Sequence, residues 1–111
     1  MLMDVSEKDI SEIVYWASSK PIISRVWIFG SRVKGTNNTD SDLDVAIEHG
    51  TMDGDSNAFT TAINEREKWQ KELQGRVSLK IDLWSYRPGE TQKIEIAISE
   101  ASKLIYKKKH I

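Results

Sequence analysis

Apolar residues recur with helical spacing in three segments of this chain. Ser6 is a typical helix cap, and Asp9 follows it at the spacing of a capping box. Behind this cap, apolar residues fall at i, i+3, i+4 and i+7, as on one face of a helix, until Pro21 ends the segment. The three predicted helices start after Ser6, run from Ser56 to just before Gly75, and cover residues 91–106.

Strand-like patterns lie between the helical segments. Short apolar runs at residues 25–29 and 43–47 predict two buried strands, and residues 77–84 alternate between apolar and polar positions. In that third segment Asp82 and Trp84 share the polar face. The order of the elements predicts one α/β (α+β) domain over residues 1–111, with a short sheet and helices packed against it.

Composition removes several classes of function. The 111 residues are 39% hydrophobic and 30% charged, which is typical of a globular chain, and the net charge of −1 does not favour a duplex nucleic-acid binder. The absence of cysteine excludes disulfides and thiolate chemistry. The first residues do not resemble a signal peptide, and no apolar run approaches the ~20 residues that span a bilayer. We therefore expect a cytoplasmic protein without a membrane partner.

The candidate chemistry begins with three carboxylates. Asp42 and Asp44 lie two residues apart at the head of the second strand, so we expect both on one face, with Leu43 and Val45 in the core. If the third strand is a neighbour, Asp82 joins them. Three close anions would each resist ionising. A divalent cation such as Mg²⁺ relieves this repulsion, and two such ions could bind the attacking and departing oxygens of a phosphoryl displacement.

A Gly30-Ser31 turn follows the first predicted strand. Glycine allows close approach of the backbone to a phosphate, to which backbone N–H groups and the Ser31 hydroxyl could donate. Arg32 and Lys34 are cations within reach of a triphosphate. The turn lacks the GxxxxGK[ST] pattern, so a P-loop NTPase is not supported.

Together these motifs resemble those of the minimal nucleotidyltransferases, small relatives of DNA polymerase β. The pattern of that family is Gly-Ser, ten residues, Asp-x-Asp, and a third Asp on a later strand. Here it reads Gly30-Ser31, residues 32–41, Asp42-Leu43-Asp44, and then Asp82 between Ile81 and Leu83. The resemblance implies a small mixed β-sheet with helices packed against it, as in the palm of polymerase β.

The resemblance also implies a reaction. A nucleoside monophosphate, AMP in the case of ATP, would pass from an NTP to an acceptor hydroxyl. Asp42, Asp44 and Asp82 would bind the Mg²⁺ ions, with Asp82 also activating the acceptor. Gly30 and Ser31 would hold the β- and γ-phosphates, and Arg32 matches an arginine that often follows this Gly-Ser.

Family members are often encoded beside a helical protein of the HEPN type (higher eukaryotes and prokaryotes nucleotide-binding domain). In several such pairs the nucleotidyltransferase is an antitoxin that adenylylates the HEPN toxin, and the resemblance implies such a partner here. A chain of 111 residues leaves no room for a second, acceptor-binding domain. Two alternatives remain open at this point: an antitoxin that neutralises its partner by contact alone, and a subunit that modifies a small molecule.

Other patterns in the sequence have plainer interpretations. The segment that begins at Asp53 opens like a calcium loop but lacks the later glycine and glutamate of an EF-hand. His49 and His110 have no metal-ligand spacing and are expected at the surface. Trp84 is interpreted as core or rim packing, with a nucleotide-base pocket as the alternative. Ile96 points away from the apolar face of the last predicted helix, and its exposure would favour an oligomer or a hetero-complex.

Overall fold

A computed structural model describes residues 4–109 of the chain. The strands form one sheet in the order β3-β2-β1-β4, with β1 antiparallel to both of its neighbours and β2 parallel to β3. The strands are β1 (Ile23–Phe29), β2 (Leu43–His49), β3 (Ile81–Ser85) and β4 (Ser102–Lys107). The helices are α1 (Glu7–Ser18), α2 (Ser31–Lys34), α3 (Ala58–Gln74) and α4 (Gln92–Glu100). This mixed sheet with packed helices confirms the predicted fold class.

The two faces of the sheet are covered differently because strand side chains alternate. One face carries the main core, in which residues of β1, β2 and β3 pack with α1 and α3 around the fully buried Ile13 and Leu73. On the other face, Trp27, Phe29 and Ala46 pack against α4. Since α4 covers only part of this second face, the polar residues of β2 and β3 that share it stay accessible.

Side chains of α3 cover the outer edge of β3. Gln70 donates to Ile81 O and accepts from Leu83 N at 3.0 Å, while Gln74 makes the same kind of pair with Leu79 O and Ile81 N, both at 2.8 Å. One turn earlier, Arg66 Nε donates to Leu83 O at 3.3 Å. We call Arg66, Gln70 and Gln74 the side-chain ladder. Spaced four residues apart on α3, they satisfy backbone groups that would otherwise face solvent at a sheet edge.

The strand predicted at residues 77–84 is shorter at its start than its alternation suggested. Strand pairing begins only at Ile81. Ser78 is instead held by α1, because its N–H and hydroxyl both donate to the carboxylate of Asp9, at 3.1 and 2.7 Å. Asp9 therefore does not complete a capping box, although its own N–H donates to Ser6 Oγ at 3.1 Å as the cap requires.

The helix predicted over residues 91–106 is wrong in its second half. Helix α4 ends at Glu100, the backbone becomes extended at Ala101 (φ −162°, ψ 110°), and β4 pairs with β1. Residues 107–109 consequently lie at a strand end, where Lys108 N donates to Ser24 O at 2.8 Å. Pairing with the open edge of β1 outweighed a periodicity that fits a helix as well as a strand.

Two predictions about exposure have opposite outcomes. Ile96 is 52% exposed, as its position on the helical wheel predicted. His49 is not at the surface: it is 7% exposed, and its Nε2 lies 2.9 Å from Ser85 Oγ. Burial is the main cause of a lowered His49 pKa. His110 lies outside the described residues. Among residues 4–109, no helix has the length and hydropathy to span a bilayer.

Candidate active site

Asp44 on β2 and Asp82 on β3 are register partners in the parallel pair, so their side chains leave the same face of the sheet side by side. This is the face opposite the main core, because their neighbours Leu43, Val45 and Leu83 are buried beneath the sheet. The sequence left the adjacency of these two strands as a condition, and the structure meets it. The sequence could supply the alternation but not the neighbour relation, which depends on the β2–α3–β3 crossover.

Gly30 closes the other side of Asp44. Phe29, the last residue of β1, is the register partner of Asp44, and Gly30 follows at φ +85° and ψ −156°, a conformation that only glycine adopts readily. A Cβ added at Gly30 would collide with Asp44 Oδ2. Glycine is thus required twice here, for its backbone conformation and for the space that the carboxylate occupies.

The electrostatic state of Asp44 reflects this enclosure. Burial raises the pKa of its carboxyl, a hydrogen bond from Trp84 Nε1 (3.4 Å to Oδ1) lowers it, and the charges of Asp82 and Asp42 raise it, for a net upward shift. Asp44 therefore interacts with both of the other predicted carboxylates. A cation beside Asp44 would be favoured, since it would offset the repulsion from Asp82 and Asp42.

Asp82 is held by the side-chain ladder. Gln70 forms hydrogen bonds with the backbone of Ile81 and Leu83, and these are the two residues that flank Asp82. Arg66 Nη2 lies 3.7 Å from Asp82 Oδ1, and its guanidinium carbon lies 5.6 Å from the centroid of the Trp84 ring. Helix α3 thus fixes both the backbone of Asp82 and the cation nearest to its carboxylate.

Asp42 directly precedes β2, where Leu43 N donates to Lys80 O at 2.8 Å. Its side chain lines an open groove together with Asp82 and Arg66. Within residues 4–109 no three His, Asp or Glu side chains converge closely enough to form a ready-made metal site. The donor chemistry nevertheless fits Mg²⁺, which commonly takes one or two protein carboxylates and completes its shell with substrate phosphates and water.

Ser31 and Lys34, two of the predicted phosphate-binding residues, lie on the short helix α2 and differ in exposure. Ser31 starts α2, directly after Gly30, and is partly exposed. Lys34 lies in the same short helix, is exposed, and pairs with Glu100 at 3.1 Å. Sequence patterns gave no sign of α2, which is only four residues long.

Arg32 is directed into the protein, although the sequence suggested a nucleotide contact. Its guanidinium is 4% exposed and donates to Ser41 O at 2.9 Å and to the Asp4 carboxylate at 2.9 Å. Arg32 therefore ties the loop before Asp42 to the N-terminal segment. A buried arginine with these protein acceptors has little left to offer a phosphate.

Sequence reasoning missed Arg66 and Gln70. Their signal is weak but real: polar residues recur every four positions on α3, on the side next to β3. Trp84, interpreted from sequence as packing or a base pocket, is 37% exposed and contacts Asp44.

Comparisons with known proteins agree with this fold. The family described as "Polymerase beta, Nucleotidyltransferase" matches residues 11–111. No curated protein matches the sequence. Among the solved structures that share the fold, three have 16–20% identity and TM-scores of 0.61–0.65.

Each of these three comes from a toxin–antitoxin complex. A chain of a toxin–antitoxin crystallised with AMP-PNP gives a TM-score of 0.65 at 20% identity, covering 90% of this chain and 74% of that one. A chain of the MntA–HepT pair gives 0.63 at 16%, covering 93% and 74%. A chain from the complex of the tri-AMPylated Shewanella oneidensis HEPN toxin with an MNT antitoxin gives 0.61 at 17%, covering 90% and 71%. At these identities the likeness establishes the fold.

Proposed function

The chain belongs to the polymerase β nucleotidyltransferase family, and from this premise we propose that it transfers AMP from ATP to a hydroxyl on a protein partner. The observation that carries the proposal is the pairing of Asp44 with Asp82 in register, with Gly30 closed against Asp44. Two carboxylates beside a glycine turn suit a polyphosphate, because the carboxylates require a cation and the backbone N–H groups of the turn can donate to phosphate oxygens.

The residues divide into a donor side and a reactive pair. Gly30 and Ser31 bind the β- and γ-phosphates through the backbone and the Ser31 hydroxyl, with Lys34 near enough to add positive charge after release from Glu100. Arg32 serves as a positioning residue: it fixes the loop that carries Asp42 instead of contacting the nucleotide.

Asp42, Asp44 and Asp82 are the proposed ligands of Mg²⁺. When bound, Mg²⁺ supplies charge neutralisation for the carboxylates and for the phosphates of ATP. Asp82 accepts the proton of the acceptor hydroxyl, whose oxygen forms a bond to the α-phosphorus. The bond from the α-phosphorus to the bridging oxygen breaks, and pyrophosphate leaves.

We further propose a HEPN-type helical protein as the partner, with this chain as its antitoxin. The structures of similar fold come from toxin–antitoxin complexes, one of which contains an AMPylated HEPN toxin. The described domain is small, and Asp42 and Asp82 border an open groove, so a second protein can bring its own hydroxyl to them.

Co-expression with the product of the adjacent gene tests this proposal. Intact mass spectra of that product should gain one or more AMP units with the wild-type chain and none with Asp44→Asn. A stable complex without added mass in either sample would refute protein modification and favour neutralisation by contact. Binding without modification, together with transfer to a small molecule, would favour the remaining alternative.

A further inference from the structure

The residues of the proposed site follow one another in order across the sheet. Gly30 follows β1, Asp44 lies on the neighbouring β2, Asp82 lies on the edge strand β3, and Arg66 lies beyond that edge on α3. If the triphosphate binds at Gly30, the acceptor must approach Asp82 from the opposite side. That side is the surface along which α3 borders β3.

Two open grooves meet along this edge. One, of about 530 Å³, contains Asp42 and Asp82, and the other, of about 570 Å³, extends past Trp84 towards α4. Ile63 and Arg66 line both grooves. We call the two together the edge trough. It starts at Asp42 and Asp82 and continues past Trp84 towards α4.

The walls of the edge trough are unusually apolar for a surface of this protein. Phe59 is 50% exposed, Ile63 is 63% exposed and Trp84 is 37% exposed, and all three lie along it. Trp69 and Leu73, the other large apolar residues of α3, pack in the main core. Phe59, Ile63 and Trp84 do not belong to that core. An apolar or aromatic side chain of a bound segment would cover them.

Positive charge accompanies these apolar walls. Arg87 stacks on Phe59, with its guanidinium carbon 5.1 Å from the ring centroid, and Arg66 lies over Trp84. The Nε of Arg87 is buried without a hydrogen-bond acceptor in the described structure, and its nearest carboxylate oxygen, on Glu90, is 3.8 Å away. The groove past Trp84 is lined by three cations, Arg66, Arg87 and Lys93, and by one carboxylate, Glu90, which favours an incoming carboxylate.

We propose that the edge trough is the acceptor site, and that it seats a partner segment in which an apolar or aromatic side chain is flanked by acidic residues. This rests on the proposed function, since it assigns the acceptor side of the same reaction. The apolar side chain packs on Phe59 and Ile63, a flanking carboxylate binds Arg87, and the acceptor hydroxyl is presented to Asp82. The nucleoside base stays outside the trough.

The test uses two matched arginine–aromatic pairs of this chain. Arg87→Glu and Phe59→Ser disrupt the pair in the trough, while Arg76→Glu and Tyr15→Ser disrupt a similar exposed pair that lies away from it, with 4.9 Å between the Arg76 guanidinium carbon and the Tyr15 ring centroid. The purified product of the adjacent gene is the acceptor. Calorimetry measures its binding in the presence of AMP-PNP, and steady-state kinetics separate the KM for acceptor from the KM for ATP.

We expect each trough variant to weaken acceptor binding about tenfold or more and to raise the KM for acceptor similarly, with the KM for ATP unchanged. The control variants should match the wild type. Phe59 is half exposed, so Phe59→Ser keeps the test valid if Arg87→Glu fails to fold. Unchanged acceptor binding in folded trough variants would overturn the proposal, as would a raised KM for ATP alone, which would assign the trough to the base. A wild-type chain that neither binds nor modifies the acceptor would instead reject the proposed function itself.

Discussion

Gln70→Ala is expected to destabilise the protein and to impair transfer through Asp82. The substitution removes two hydrogen bonds to the edge strand, one to Ile81 O and one from Leu83 N. A net hydrogen bond contributes about 0.5–1.5 kcal/mol, so the two together give about 1–3 kcal/mol. Because the freed backbone groups lie at a sheet edge that water can reach, we expect the lower half of that range, about 1–2 kcal/mol.

Gln74→Ala provides the matched control. It removes the same two kinds of hydrogen bond, but to Leu79 O and from Ile81 N, both of which lie on the N-terminal side of Asp82. Urea unfolding followed by tryptophan fluorescence should therefore report similar losses of stability for the two variants. Only Gln70→Ala frees the backbone on both sides of Asp82, so its kcat should fall further than that of Gln74→Ala at a temperature where both are folded.

A readout without an acceptor separates positioning from stability. Electron paramagnetic resonance measures Mn²⁺ binding in the presence of AMP-PNP, and Gln70→Ala should weaken it more than Gln74→Ala does. Gln70→Glu should not rescue binding, since a carboxylate can accept from Leu83 N but cannot donate to Ile81 O. Equal Mn²⁺ affinity and equal kcat in both alanine variants would refute the view that Gln70 positions Asp82. A loss of stability below about 0.5 kcal/mol would contradict the stated strength of the ladder.

Three further predictions concern Gly30, Asp44 and His49. Gly30→Ala should lower the free energy of unfolding by about 1–3 kcal/mol and abolish transfer, because it adds both backbone strain and a collision with Asp44. Gly54→Ala is the control: Gly54 has φ +91° but lies in open space, so this variant should lose stability in the urea assay and keep its activity. Asp44→Asn should raise the melting temperature at pH 7 in EDTA, because a raised pKa means that the ionised carboxylate destabilises the fold; a lower melting temperature would contradict this. The pKa of His49 is lowered in the folded protein, so the unfolded chain binds a proton at this residue more readily. Stability should therefore fall as the pH drops below about 6.5. His49→Gln should flatten the profile of melting temperature against pH over that range.

The sequence predicted the positions of Gly30, Asp44 and Asp82 on their strands and turn because that evidence is local. Gly30 and Asp44 lie at the ends of apolar runs, and an alternating pattern places Asp82 on a polar face. These are properties of single strands. The conformation of Gly30 and its closeness to Asp44 then follow from the antiparallel pairing of β1 with β2.

The parts that the sequence did not reveal depend on contacts between distant segments. Arg32 looked like a free cation, and only the fold shows that Ser41 and Asp4 occupy its guanidinium. The last strand, β4, was mistaken for helix because its pairing with β1 cannot be read from local spacing. The ladder was missed for the same reason, since a glutamine on a helix gives no sign that its partner is a strand backbone.

The side-chain ladder limits how this protein can associate with others. Gln70 and Gln74 already occupy the hydrogen-bonding positions that an added strand would use on β3, and the opposite edge strand carries Lys103 and Lys107, which discourage strand addition. Recognition is therefore left to side chains on the surface. A pairing that depends on a few side chains can change its specificity by one or two substitutions without altering the fold, which would allow closely related pairs in one cell to remain separate.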